Sequence, residues 1–264
     1  MSTPQNYVET WILTFNRPVV LNRLIRNLNA EGIKPWVFSN HPDVHIEKDL
    51  SCSGVVINTL NCEQSSSWCA RSWNSIFLKS FAEHNAYGAV CIQDDTNIRP
   101  GFARCLIEEA EKYDFISAPA GDQFFYITLP VLKKVGWFDE RYLGCYCGDA
   151  DYFKRVYMKY DKARVSNYDT HSWGWMHNPS QITMYLDTEY QTKMCEPNYQ
   201  NQHWALDAIT KVNKTLQHSQ SHYENKWGVE LDNNGPAISK GTYSHIEEID
   251  WYPWASNKLG FTCT

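Results

Sequence analysis

Short apolar runs alternate with helical apolar stripes over the first two-thirds of this 264-residue chain, and that alternation limits the fold more than any other feature. Thr10–Phe15 is a β-rich run that breaks at Asn16-Arg17-Pro18. Leu21, Leu24, Ile25 and Leu28 then recur at the spacing of one helix face, and Gly32 closes that helix. Trp36–Ser39 reads as a second strand and Val55–Leu60 as a third. Ser65–Ser67 can cap a helix whose stripe is Ala70, Trp73, Phe77 and Phe81. Ala89–Ile92 is a buried strand, and Pro100-Gly101 opens a helix bearing Phe102, Leu106 and Ala110. Strands follow near Phe115–Ser117 and Phe124–Ile127, then helices over Leu129–Val135 and from Asp149 to about Lys159. Such alternation predicts an α/β fold, a mostly parallel sheet with helices on both faces. Ligands of such sheets bind beyond the carboxyl ends of the strands. Asn16-Arg17, Asn40-His41 and Asp94-Asp95 stand at those ends.

Beyond about residue 180 the alternation lapses. Helical stretches are expected near Gln181–Thr192 and Trp204–Gln217, and the tail from Lys226 is rich in Gly, Asn, Pro and Trp. The reading is an α/β domain over residues 1–190 and a helical or irregular C-terminal extension over 191–264 that packs on it.

Charge and cysteine usage exclude several classes. With 30 acidic and 24 basic side chains the net charge is −6, the wrong sign for a nucleic-acid binder. No apolar run approaches the ~20 residues of a membrane helix. The N-terminal MSTPQNYVET has no basic and apolar leader, so the expected location is cytoplasmic. The nine cysteines form no CxxC pair and read as reduced thiols.

Three constellations carry chemistry. Asp94 and Asp95 end a buried strand, where adjacent carboxylates repel and lose hydration. A divalent cation would relieve both, Mn²⁺ or Mg²⁺ being the oxygen-loving choice; the plainer reading is a solvated Asp-Asp turn. Asp149 stands where a helix begins, either because the helix dipole favours a carboxylate there or as a general base. In Thr170–His177, His171 or His177 could ligate a metal or be structural, and Trp173 and Trp175 could stack on a sugar or fill the core. His218 and His222 share helical spacing, but the Ser-Gln-Ser between them lacks the glutamate of a zinc helix.

The order and spacing of these segments resemble those of inverting, metal-dependent glycosyltransferases of the GT-A (Rossmann-like) fold, the family 2-like group. The matching residues are Leu13–Arg17, Ala70-Arg71 with Asn74, Asp94-Asp95, Val135–Arg141 and Gly148–Arg155, and the resemblance covers about residues 8–180. It implies that Thr14, Phe15, Asn16, Arg17, Asn40, Arg71, Asn74 and Asp94 line the nucleotide-sugar donor, expected to be UDP-linked. Asn40 stands where the family usually has an acidic residue, and Gly148 where it has glutamate before the catalytic aspartate. Asp95 and His171 would hold the metal, Asp149 would be the base, and Asp151, Trp173, Trp175 and His177 would face a glycan acceptor. Trp227-Gly228 resembles a C-terminal segment of many sugar transferases, for packing or the acceptor side. Two other classes remain. A sugar nucleotidyltransferase would want a Gly-rich phosphate loop after strand one, which Asn16-Arg17-Pro18 lacks; a non-catalytic carbohydrate-binding protein fits the aromatic richness.

Overall fold

A computed structural model describes residues 7–15, 17–58, 68–94, 96–98, 100–118, 121–143, 147–159, 165–166, 184–186, 217–228 and 247–262. The chain runs β1 (Val8–Thr14), α1 (Pro18–Ala30), β2 (Trp36–Ser39), β3 (Gly54–Ile57), α2 (Trp68–Phe77, prolonged by a π-helical turn Leu78–Glu83), β4 (Gly88–Gln93) and β5 (Thr96–Ile98). It continues through α3 (Phe102–Ala110), β6 (Phe115–Ala118), β7 (Gly121–Thr128), α4 (Leu129–Val135), α5 (Gly148–Lys159), β8 (Val165–Ser166) and β9 (Met184–Leu186). A helical stretch over 217–227 and α6 (Pro253–Leu259) follow.

Seven strands form one sheet in the order β3-β2-β1-β4-β7-β6-β8. β1 pairs in parallel with β2 and β4, β2 with β3, and β6 with β8, while β7 runs antiparallel to both neighbours. The expected α/β fold with a mostly parallel sheet is the one observed. Strand β1 is buried at every position after Val8, as a central strand covered on both faces must be. Its pleat sends Trp11 and Leu13 into one core with Trp73, Phe77, Phe125 and Phe138. Ile12 goes into the other, with Leu21, Leu24, Ile25, Val90 and Phe124. The predicted stripe of α2 is buried throughout: Ala70, Trp73, Phe77 and Phe81 are each at most 3% exposed. Truncating Phe77 to alanine would cost about 3–5 kcal/mol in cavity and transfer terms.

Two expectations are corrected or bounded. A helix expected near Gln181–Thr192 is instead a strand at Met184–Leu186, paired antiparallel with β5. Backbone bonding to Thr96–Ile98 overrides a local pattern too short to specify a helix. The helix expected over Trp204–Gln217 falls almost wholly outside the described residues; helix is described from residue 217 onward.

At the amino end of the parallel strands, buried Glu9 accepts hydrogen bonds from Trp11 Nε1 (3.0 Å) and Ser80 Oγ (2.8 Å), with His84 Nδ1 at 2.9 Å. Trp36 stacks on Trp11 and presses against the bare Cα of Gly54. The carboxyl end carries the residues considered next.

Candidate functional site

β1 and β4 are neighbours, so the residues leaving their carboxyl ends meet. Thr14 Oγ1 donates to Asp94 Oδ2 at 2.5 Å, and Arg17 Nε donates to the same oxygen at 3.1 Å. Arg17 Nη2 donates to Oδ1. Asp94 is fully buried, and this guanidinium fork compensates the desolvation of its carboxylate. Three residues expected along a nucleotide therefore bind one another. Phe15 lies edge-on to the His41 ring, at 5.6 Å between centroids.

Asn40 leaves β2 at the same edge. Its Nδ2 donates to Ser72 Oγ at 2.8 Å, and its Oδ1 accepts from Asn58 Nδ2 at 2.8 Å. A neutral amide suits this place, since it donates to one partner and accepts from another; a carboxylate could not donate to Ser72. Asn40 thus ties the ends of β2 and β3 to the first turns of α2.

Asn74 is also committed within the protein. Its Nδ2 donates to the Phe138 carbonyl (2.9 Å) and to Glu140 Oε1 (3.0 Å), and its Oδ1 accepts from the Phe138 amide (2.8 Å). Arg71 differs: it keeps 38% of its side chain exposed, with Nε 3.7 Å from Glu140 Oε2.

Asp149 lies in the first turn of α5, half-buried. A Cβ added at Gly148 would stand 3.6 Å from the Cβ of Ala70, so the start of α5 abuts the start of α2 beside Arg71. Cys147, just before this helix, holds a left-handed backbone at φ +67°. Burial, then the Asp149 charge, pushes its thiol up to about 12, which rules it out as a thiolate nucleophile near neutral pH.

Asp151, expected to orient an acceptor, is instead a core ion with no exposed surface. It accepts from Arg155 Nε (2.9 Å) and Trp227 Nε1 (3.0 Å), with Lys226 Nζ at 2.8 Å. Asp139 is similarly buried against Arg141 (2.6 Å), Lys226 (3.1 Å) and His222 (3.3 Å). Burial alone would raise both carboxyls. His222 and Arg141 hold Asp139 well below the usual carboxylate range, and Lys226 and Arg155 lower Asp151. Trp227, singled out from the sequence, is therefore a packing residue, and His222 is a hydrogen-bond partner of Asp139.

Sequence reasoning assigned no role to Glu140, Tyr252 or Lys154. Tyr252 donates to Glu140 Oε1 at 2.5 Å. Lys154 is fully buried on α5, and its Nζ makes no hydrogen bond but sits 4.4 Å from the Trp227 ring centroid. Only the dense aromatics of Trp251–Trp254 hinted at the first, and nothing local hinted at the second.

Asn16, Asp95, His171, Trp173, Trp175 and His177 lie outside the described residues. Among the described residues no three His, Cys, Asp or Glu side chains gather as metal ligands, and no helix is long and apolar enough to cross a membrane.

No protein-family model and no curated protein matches the chain. Among solved structures it resembles Staphylococcus aureus TarS at TM-score 0.43 and 10% identity, over 60% of this chain and 34% of that one. A TarS fragment, residues 1–349, gives TM-score 0.43 at 11% identity over 86% of this chain and 76% of that one. A197 from STIV gives TM-score 0.37 at 12% identity, over 60% and 80%. The chain thus spans about a third of the full TarS chain, and likenesses this remote assign no activity.

Proposed function

We propose that the protein is a glycosyltransferase that moves a sugar from a nucleotide-sugar, UDP-linked, to a glycan hydroxyl with inversion. The observation that supports this best is the meeting of the starts of α2 and α5 at Ala70 and Gly148, the sequence neighbours of the partly exposed Arg71 and the half-buried Asp149. An exposed guanidinium suits a diphosphate, and a half-buried carboxylate at a helix start suits a base. In the proposed step Asp149 takes the proton of the acceptor hydroxyl. The hydroxyl oxygen attacks the anomeric carbon, and the bond from that carbon to the diphosphate breaks from the opposite face. The diphosphate leaves with the bonding electron pair.

A divalent cation, Mn²⁺ or Mg²⁺, would be held by Asp95 and His171, which lie outside the described residues. When bound, it would neutralise charge growing on the leaving diphosphate. Asp94 does not fit as a further ligand, because Thr14 and Arg17 already occupy its carboxylate.

Incubation with UDP-sugars and Mn²⁺ should release UDP, which a pure carbohydrate-binding protein would not do. Asp149→Asn should lower turnover at least about 100-fold while UDP affinity holds. Full turnover in that variant would overturn the role of Asp149.

A further inference from the structure

We infer that Lys154 makes the seating of the 217–227 helix on α5 sensitive to pH, the helix sitting more firmly once the amine has given up its proton.

Lys154 lies on α5 with no exposed surface, and its Nζ has no hydrogen-bond partner. Two rings of the 217–227 helix lie over it: the Trp227 centroid is 4.4 Å from Nζ and the Tyr223 centroid 5.9 Å. Both of these residues are buried, in a cluster with Tyr142 and Ala150 against which Cys147 packs. A neutral amine suits such a place. An ammonium there loses its hydration and has three donors to satisfy.

Among the described residues, the groups around Nζ do not relieve that charge. Asp151, one turn back on α5, is the acid that favours the ammonium. Its oxygens already accept from Arg155, Trp227 and Tyr142, with Lys226 Nζ at 2.8 Å. Lys226 is a second cation at the Trp227 ring, 5.9 Å from its centroid. Burial pushes Tyr142, Tyr223 and Cys147 up, so all three are still neutral at pH 9 and offer no counter-charge. The indole face returns only part of the cost.

Lifting the helix would return Lys154 to water and to its ordinary value of 10.5, against about 8 in the buried place. The proton therefore favours the lifted helix below about pH 8, and that bias fades as pH rises toward 10.5. The same helix brings Lys226 and Trp227 to Asp151, so its seat bears on the first turn of α5, which also carries Asp149.

The test is hydrogen exchange of the intact chain, wild type and Lys154→Met, at pH 7 and pH 9, read at the amides of residues 217–227. Comparing the two proteins at one pH cancels the intrinsic exchange rate. Lys154→Met should exchange more slowly than wild type at pH 7. That advantage should shrink about 10-fold at pH 9, the factor that values of 8 and 10.5 give. Amides of α1, which packs in the other core, should change less. Equal exchange at pH 7, an advantage undiminished at pH 9, or one shared equally by α1 overturns the inference. Should Lys154→Met fold poorly, ¹³C NMR of the lysine Cε carbons in wild type decides. A Lys154 resonance that titrates near 8 supports the inference, and one near the ordinary 10.5 overturns it.

Discussion

The Arg17 guanidinium grips the fully buried carboxylate of Asp94 with two of its nitrogens, joining the ends of two adjacent parallel strands. Removing one partner of such a pair leaves a buried charge without compensation. Arg17→Met should therefore cost about 3 kcal/mol, read as a lower urea midpoint at unchanged slope. An unmoved midpoint would show that Asp94 does not depend on Arg17.

Acid should unfold the protein through Asp139 and Asp151. Both carboxyls titrate lower in the folded state than in the unfolded one, so their stabilisation is complete above the ordinary aspartate value of about 4. It is lost as pH falls through their depressed values. Asp139→Asn should cost about 3–5 kcal/mol at neutral pH and flatten the decline in acid. Denaturation series at pH 7, 4 and 3 would check both parts, and an equally steep acid decline in the variant would assign it elsewhere.

Lys154 has the opposite sign. Burial lowers its amine to about 8 from an ordinary 10.5, so the unfolded chain holds that proton more tightly. The penalty is full below about pH 8 and fades as pH rises toward 10.5. Its contact with Trp227 returns about 0.5–2 kcal/mol, less than the roughly 3 kcal/mol that the lowered pKa represents. Lys154→Met should accordingly raise the melting midpoint at pH 7, and raise it less at pH 10. A lower midpoint at pH 7 would mean that the cation–π contact outweighs burial.

Gly54 admits no side chain without moving Trp36. Gly54→Ala should cost about 1–3 kcal/mol from overpacking and disturb the stack of Trp36 on Trp11. Near-ultraviolet circular dichroism would record the disturbed stack; an unchanged spectrum and midpoint would mean that the indole yields freely.

What the sequence showed about the fold follows the range of the forces involved. Leu21, Leu24, Ile25 and Leu28 announce α1 because a helix face repeats locally, and Val90 to Ile92 announce a buried strand by composition alone. Met184–Leu186 does not announce itself, because a three-residue strand is defined by its partner. The site follows the same rule. Arg71 and Asp149 stand out in the segments Ala70-Arg71 and Gly148–Arg155, but nothing local says that the starts of α2 and α5 meet. The pairing of Arg17 with Asp94 spans 77 residues, and nothing in either segment names the other. Asp151 has the composition of a ligand-facing aspartate and becomes a core ion only when Lys226 arrives.

That arrival has a consequence for synthesis. A ribosome releases the chain from its amino end, so Asp139 emerges 87 residues before Lys226. Through that interval the strands of the sheet can pair, yet two acidic groups destined for the interior lack a cation they will share. Arg141 and Arg155 can pair with them meanwhile, but the lysine that stands between the two arrives last. Completion of the carboxyl-terminal segment is thus a checkpoint in the birth of the folded molecule, and a nascent chain stalled short of residue 226 should expose its α5 face to chaperones and proteases.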